Sequence, residues 1–180
     1  MQSRRCFAAF AILALVFAGC SRQPDADKPE LGTSAQVDLA RYMGTWYVIA
    51  NIPNAAEDGK LATRDVYALR ADGTIANDFV FRRGPDDPDE AWHAVARVAP
   101  GSHGARWSVT FWHLFSADVL VLEVAPDYSW ALLGHPHRRY GYIFSRTPAM
   151  DEALYRRLLA KMAGYGYTTT RFRRVEQPTR

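Results

Sequence analysis

From Tyr42 onward, short runs rich in β-branched and aromatic residues alternate with turn sequences at a spacing of roughly ten residues. Turns such as Ala71-Asp72-Gly73 and Pro126-Asp127-Tyr128 are too short to contain a crossover helix, so neighbouring strands are expected to pair antiparallel. This pattern predicts an all-β barrel or sandwich. The predicted strands are Thr45–Ile52, Ala62–Arg70, Ile75–Arg82, Ala91–Val98, Arg106–His113, Val119–Val124, Ser129–Leu133, Tyr140–Ser145 and Thr168–Val175.

One amphipathic helix is predicted near the end of this series. After Pro148, the apolar residues Met150, Leu154, Leu158 and Met162 recur every four positions, with charged residues between them. Pro148 is expected in the first turn of the helix. The stretch is too short to span a bilayer, so it is expected to pack against the outside of the sheet.

The first nineteen residues are typical of a secretion signal rather than of a folded element. Arg4 and Arg5 precede an apolar stretch, Phe7–Phe17, which is shorter than the roughly 20 residues that a spanning helix needs. The sequence Ala18-Gly19-Cys20 then resembles a bacterial lipoprotein processing box, in which the Cys is acylated and becomes the N-terminus. The alternative is a plain signal peptide. Ser21, at a position where inner-membrane lipoproteins tend to carry Asp, favours the outer membrane.

Processing at Cys20 changes what charge and cysteine content imply. The chain carries 22 Lys+Arg and 19 Asp+Glu, but removal of Arg4 and Arg5 leaves 20 basic residues against 19 acidic ones. This near-neutral balance removes the main argument for nucleic-acid binding. Cys6 lies in the removed segment, so the mature chain keeps no thiol for a disulfide. We predict a signal peptide over 1–19, a flexible polar tether over 20–36 and one folded domain over 37–176.

Three motifs occur in order along the predicted domain: Gly44-Thr45-Trp46 in the first strand, Pro126-Asp127-Tyr128 at a late turn, and Phe144-Ser145-Arg146-Thr147-Pro148 after the eighth strand. Together they resemble the signature of the lipocalins, and especially of the bacterial outer-membrane lipocalins and their apolipoprotein D relatives. The resemblance implies an eight-stranded antiparallel up-and-down barrel, with one helix packed outside and a short final strand. It also implies a barrel floor built from Gly44, Trp46 and Arg146, in which Trp46 packs under the Arg146 guanidinium.

If Trp46 and Arg146 mark the floor, every second connection lies at the open mouth of the barrel. These connections are Pro53–Lys60, Gly84–Glu90, Leu114–Asp118 and Gly134–Arg139. Leu114 and Phe115 would then form an apolar rim, which fits contact with a second copy in a homodimer, contact with a membrane, or a hydrophobic gate.

Side chains alternate in and out along a strand, and an eight-stranded barrel is wide enough to hold one small ligand. Counting by twos from Arg146 and along the other strands gives a set of inward aromatic residues that we expect to bind an apolar ligand: Tyr140, Tyr142, Phe144, Tyr67, Phe79, Phe81, Trp92, Trp107 and Phe111. The alternative is an ordinary filled core. The same parity points Asp65 inward, where a mouth-side Arg or a ligand group would have to be its partner, unless a local bulge turns it outward. For the sixth strand, one phase points Glu123 inward and the other, preferred phase points Leu120, Leu122 and Val124 inward.

The polar head of a ligand is expected to meet a basic mouth connection. Arg138 and Arg139 lie there with His135 and His137, and Arg donors suit a carboxylate or phosphate. The alternative is a solvated turn. The two histidines lack a third ligand at metal spacing, and no nucleophile elbow or phosphate loop occurs, so neither a metal, a cofactor nor catalytic residues are predicted.

The function expected from these observations is a lipid carrier of the outer membrane, anchored on its periplasmic side through Cys20. Its ligand would be a fatty acid or lysophospholipid, bound for envelope maintenance or stress response. A haem- or pigment-binding barrel is the alternative, and an acyl-ester hydrolase is a weaker one.

Overall fold

The computed structural model describes Asp25 and residues 28–55, 57–112 and 114–177. The predicted signal peptide, Cys20 and His113 therefore lie outside the described residues. Within the described residues, nine strands form one antiparallel sheet, in the order β2-β3-β4-β5-β6-β7-β8-β1-β9, and a further pairing of β1 with β2 closes it. The strands are β1 (Gly44–Asn51), β2 (Leu61–Leu69), β3 (Ile75–Arg82), β4 (Glu90–Val98), β5 (Arg106–Phe111), β6 (Phe115–Val124), β7 (Trp130–Gly134), β8 (Gly141–Ser145) and β9 (Arg173–Arg174). The predicted eight-stranded antiparallel up-and-down barrel is confirmed.

In the described part of the chain, two α-helices accompany the barrel. A short α1 (Leu39–Tyr42), which the sequence pattern does not predict, precedes β1, and Asp38 caps its N-terminus. The predicted long helix is α2 (Glu152–Gly164), and Asp151 caps it through the backbone N–H of Leu154. It begins later than expected, so Pro148 lies before the helix rather than in its first turn. Among the described residues, no helix has both the length and the apolar character needed to cross a bilayer.

The strands bury side chains on both faces where α2 covers the barrel. Trp46, Val48 and Phe144 belong to the core inside the barrel. Ile49 and Ile143 belong to a second core outside it, together with apolar residues of α2. This two-sided burial explains why parts of β1 and β8 are continuously apolar in sequence.

In β6 the preferred phase was wrong for Leu120 and Leu122 and right for Val124. Leu120 and Leu122 pack in the outer core beneath α2, whereas Val121 belongs to the inner core and Val124 packs against it. The pairing register shifts between Val121 and Glu123, which marks a bulge at Leu122. Glu123 is not inward either, because its Oε1 accepts a hydrogen bond from Nζ of Lys161 on α2 at 2.8 Å.

The last strand is shorter than predicted. A 3-10 turn, Thr169–Arg171, occupies the first half of the run Thr168–Val175, and only Arg173–Arg174 pair with β1. There β9 continues the sheet beside Ala50 and Asn51, while β2 pairs with β1 only as far as Tyr47. The final strand therefore covers the upper edge of β1.

The described part of the predicted tether lies against the barrel rather than free of it. The backbone N–H of Leu31 donates to the Pro136 carbonyl at 2.7 Å, and Oγ1 of Thr33 donates to the Val121 carbonyl at 2.7 Å. Further along, the N–H of Val37 donates to the His103 carbonyl at 2.9 Å. Because Pro136 lies at the mouth and His103 at the floor, this segment runs down the outer wall. We call residues 28–37 the N-terminal strap.

Candidate ligand-binding site

The floor of the barrel is built around Trp46 and Arg146. The Arg146 guanidinium carbon lies 3.8 Å from the centroid of the Trp46 ring. Its Nη1 donates to the Thr45 carbonyl at 2.9 Å and its Nη2 to the Arg41 carbonyl at 2.8 Å, so it ties α1 to the start of β1. Nε1 of Trp46 donates to the Tyr42 carbonyl at 2.8 Å. These contacts seal one end of the barrel in the way the family resemblance implied.

Above this floor lies a cavity of about 490 Å³ that opens toward the other end of the barrel. This volume falls in the range of about 300–1,000 Å³ that is common for small-molecule sites. Most of its wall is apolar and aromatic. The lining residues are Asn54, Glu57, Asp65, Tyr67, Asn77, Phe79, Trp92, Val109, Phe111, Trp112, Phe115, Ala117, Val119, Leu133, Tyr140, Tyr142 and Phe144.

Strand parity places most of the predicted aromatic residues on this wall. The residues that were predicted to bind a ligand and that line the cavity are Tyr67, Phe79, Trp92, Phe111, Tyr140, Tyr142 and Phe144. The rings of Tyr142 and Phe144 lie 5.7 Å apart, and those of Phe79 and Trp92 lie 5.8 Å apart. The cavity wall is therefore a nearly continuous aromatic surface on several strands.

Two of the predicted aromatic residues do not line the cavity. Trp107 is fully buried in the floor, where its ring meets Tyr42 and Tyr67 edge-on and its Nε1 donates to the Gly104 carbonyl. Phe81 points inward as parity predicts, but Lys60 covers its ring at 4.7 Å and also lies 4.5 Å from the ring of Trp92. Trp107 packs against Tyr67 and Phe81 packs against Trp92, so both residues support rings that line the cavity.

The structure does not bring the two arginines of the basic mouth connection, Arg138 and Arg139, to the cavity wall. Arg138 is 8% exposed and turns away from the cavity. Its Nε donates to the Tyr165 carbonyl and its Nη1 to the Pro29 carbonyl, each at 2.8 Å, so it fastens α2 and the strap to the mouth. Arg139 is exposed and does not line the cavity. Arg138 was grouped with Arg139 because the two are adjacent in sequence. In the structure, Arg138 instead donates to carbonyl groups of segments that are distant in sequence.

The histidines of the same connection form a turn. The backbone N–H of His137 donates to Nδ1 of His135 at 2.9 Å, and the His135 ring packs against Tyr140. Burial, with the nearby Arg139 and His137, lowers the pKa of His135 to about 4, so this imidazole is neutral at physiological pH. Among the described residues there is no group of three metal-ligating side chains.

A polar patch interrupts the apolar wall where β2 and β3 meet the connection between β1 and β2. Asp65 points inward as predicted, and its partner is Asn77, whose Nδ2 donates to Oδ1 of Asp65 at 2.7 Å. Burial raises the pKa of Asp65 to about 7, and the neighbouring Glu57 raises it further against the lowering effect of the Asn77 bond. This carboxyl is therefore partly protonated near neutral pH.

Glu57 belongs to the same patch but both of its oxygens are occupied. The Tyr142 hydroxyl donates to Oε1 at 2.7 Å, and Nδ2 of Asn51 donates to Oε2 at 2.8 Å. These bonds draw the connection between β1 and β2 over the upper wall of the cavity. Sequence parity does not extend to connections, so Glu57 could not be placed from the sequence.

At the rim, Trp112, Leu114 and Phe115 are 52%, 78% and 66% exposed. Trp112 and Phe115 also line the cavity, and the Trp112 ring meets Trp92 at 5.4 Å. We call these three residues the apolar rim. It extends the apolar wall of the cavity to the surface of the protein.

The family model described as "Lipocalin-like domain" matches residues 37–177. The chain belongs to the lipocalin family. Temperature-induced lipocalin-1 of Arabidopsis thaliana is 31% identical over 160 residues, which cover 84% of this lipocalin and 85% of the plant protein. The outer membrane lipoprotein Blc of Vibrio cholerae is 28% identical, with 94% and 98% coverage. Blc of Escherichia coli is 30% identical, with 78% and 80% coverage.

Solved structures agree on the fold of this lipocalin. The cockroach allergen Per a 4 superposes with a TM-score of 0.64 at 19% identity and covers 84% of this chain and 96% of its own. Lobster apocrustacyanin A1 gives a TM-score of 0.62 at 20% identity, with 83% and 91% coverage. At this sequence identity the similarity supports the barrel architecture alone. It does not indicate which ligand the cavity holds.

Proposed function

We propose that this lipocalin binds a lipid with a long apolar chain, such as a fatty acid or lysophospholipid, inside the barrel, and that it acts as a carrier in the outer membrane rather than as an enzyme. The observation that carries the proposal is the cavity, which is aromatic on most of its wall, sealed at the floor and open at the mouth. Each methylene that leaves water for such a wall contributes about 0.8 kcal/mol.

The proposed location rests on two supports. Cys20 follows a signal-like segment in a lipoprotein processing box, and relatives from Vibrio cholerae and Escherichia coli carry the name outer membrane lipoprotein. We propose that Cys20 is acylated and holds the barrel on the periplasmic side of the outer membrane, for envelope maintenance or stress response.

The first test extracts purified protein with organic solvent and identifies what is released by mass spectrometry. A fatty acid or lysolipid supports the proposal, whereas a haem or other pigment would replace it with the pigment-binding alternative. The second test measures binding of straight-chain ligands of increasing length by calorimetry. Affinity is expected to rise about three- to four-fold per methylene until the cavity is filled.

A narrowed cavity provides the matched control. Ala117 lines the cavity, so Ala117→Trp should narrow it and weaken binding, whereas Ala91→Trp places the same ring on an exposed position of β4 and should leave binding unchanged. Equal affinity of the two variants would show that the ligand binds elsewhere.

A further inference from the structure

The polar patch contains one carboxyl oxygen that the protein does not use. Asp65 pairs in register with Trp46 of the floor, so it lies deep in the barrel rather than at the rim. Its side chain lines the cavity although the residue is only 9% exposed. Asn77 occupies Oδ1, and no donor among the described residues reaches Oδ2. Oδ2 is also not among the described side-chain atoms that are both fully buried and without a hydrogen-bond partner. Since it has no partner, it must be accessible, and the space it reaches is the cavity.

The groups that act on Asp65 supply no positive charge. The titratable groups that act on it or are affected by it are Glu57 from the connection between β1 and β2, Tyr42 from α1, Tyr67 from β2 and Tyr142 from β8. All are acids, and no described cation forms an ion pair with Asp65. Once it is ionised, a buried carboxylate in such a place needs a donor, because an unsatisfied polar group in an apolar interior is costly.

The wall also discriminates between ligand charges. A ligand carboxylate drawn to this depth would face Asp65 and Glu57, and the apolar wall would strengthen that repulsion. An ammonium or hydroxyl group would instead donate to Oδ2, and the charged donor would make the stronger bond. An acyl chain alone would cover Asp65 without giving it a partner.

We propose that Oδ2 of Asp65 receives a hydrogen-bond donor that carries no negative charge, and that this depth of the cavity rejects an anionic group. A fatty acid or lysophospholipid would therefore keep its carboxylate or phosphate at the mouth, with its acyl chain inside. At equal chain length, the expected order of affinity is aliphatic amine, then alcohol, then carboxylate. The inference rests on the proposed function, because it assumes that the cavity holds the ligand.

The test compares dodecylamine, dodecanol and dodecanoate by calorimetry at pH 7.5, below their micelle concentrations, with the wild-type chain, Asp65→Asn and Asp78→Asn. Asp78 pairs with His93 on the outer face, so its variant makes the same charge change away from the cavity. A charge-assisted hydrogen bond corresponds to about a ten-fold or larger difference in affinity. The wild type is expected to bind the amine at least about ten-fold more tightly than the carboxylate. Asp65→Asn should reduce this ratio to near one, and Asp78→Asn should leave it unchanged.

The outcomes separate this inference from the proposed function. If all three ligands bind with equal affinity and Asp65→Asn changes nothing, the cavity is a lipid site but Asp65 does not select its occupant. If Asp78→Asn lowers the ratio as much as Asp65→Asn, the preference reflects net charge and the inference fails. If none of the three ligands binds, the proposed function fails and the inference fails with it.

Discussion

At the scale of single residues, Asp65 should lower the stability of the empty protein at neutral pH. An ordinary Asp titrates near 3.8, whereas burial raises the pKa of Asp65 to about 7 in the folded chain. Between these values the folded state keeps a proton that the unfolded state has lost, so the free energy of unfolding falls as pH rises from about 4 to 7. Above pH 7 the full cost, on the order of a few kcal/mol, is present.

Asp65→Asn should therefore be more stable than the wild type at pH 8 and nearly equal to it at pH 4. Asparagine does not ionise, and it can still accept the hydrogen bond from Asn77. The difference in free energy of unfolding, measured by urea titration at several pH values, should grow between pH 4 and 7 and then level off. A difference that stays constant across this range would contradict the assignment.

Gly44 is a second residue-scale case, because its φ of +94° lies where side chains are strained. A Cβ there would meet only Nη1 of Arg146, at an ordinary 3.4 Å, so the backbone rather than crowding sets the cost. Gly44→Ala should lower the free energy of unfolding by about 1–2 kcal/mol. Gly164→Ala is the control, since nothing lies within 4 Å of its Cβ and it ends a helix. A Gly44→Ala variant as stable as the wild type would show that the backbone at the start of β1 can leave the positive φ without cost.

At the scale of elements, Asp25 and the strap are joined by charged side chains to the mouth and to the segment that follows α2. Asp25 is 1% exposed and accepts hydrogen bonds from Arg171 at 2.8 Å and from Thr168 at 2.9 Å. Burial alone would raise the pKa of Asp25, but these bonds and that from Lys28 outweigh it and hold the pKa below 3.8. Arg138 adds the bond to the Pro29 carbonyl. The strap is thus an ordered element of the barrel wall.

Arg138→Ala should loosen this element without changing ligand affinity. Loss of the guanidinium leaves the Pro29 and Tyr165 carbonyls without their donor, at a cost of about 1–3 kcal/mol. Hydrogen exchange should become faster at the Leu31 amide, which bonds to Pro136. Arg139→Ala, an exposed neighbour, should change neither quantity. If Arg138→Ala lost much of its lipid affinity and Arg139→Ala did not, Arg138 would have to be counted as a ligand-binding residue.

Local patterns predicted the elements well, because strand alternation and short turns depend on neighbouring residues. Ile75–Arg82 was predicted to the residue, and parity placed Asp65 and Phe79 on the inner wall. The phase of β6 failed at Leu120 and Leu122 but held at Val124, because a bulge at Leu122 that no Gly or Pro marks shifts the alternation. Arg138 failed because its carbonyl partners are set by packing of distant segments. The pairing of Asp65 with Asn77 could have been predicted from the sequence, since strand alternation points both side chains inward on adjacent strands.

At the scale of the whole molecule, the course of the strap determines which end of the barrel lies near the proposed anchor. Arg171 binds both Asp25 and the carbonyls of Arg138 and Arg139, so Asp25 lies at the mouth end of the outer wall. Cys20 precedes Asp25 by five residues, a chain length of at most about 18 Å. An acylated Cys20 would therefore hold the mouth, with its apolar rim, close to the membrane surface.

Spin labels at the two ends should detect this orientation. Asp86→Cys lies on the mouth connection between β3 and β4, and Ala71→Cys lies on a floor turn, and both positions are exposed. In the acylated protein on vesicles, the mouth label should be more accessible to a membrane-partitioning relaxant than the floor label. Cys20→Ser, which removes the anchor, should abolish vesicle retention at low protein concentration. A floor label that is more accessible than the mouth label would contradict the predicted orientation. It would mean that the bond between Asp25 and Arg171 does not hold the anchor at the mouth.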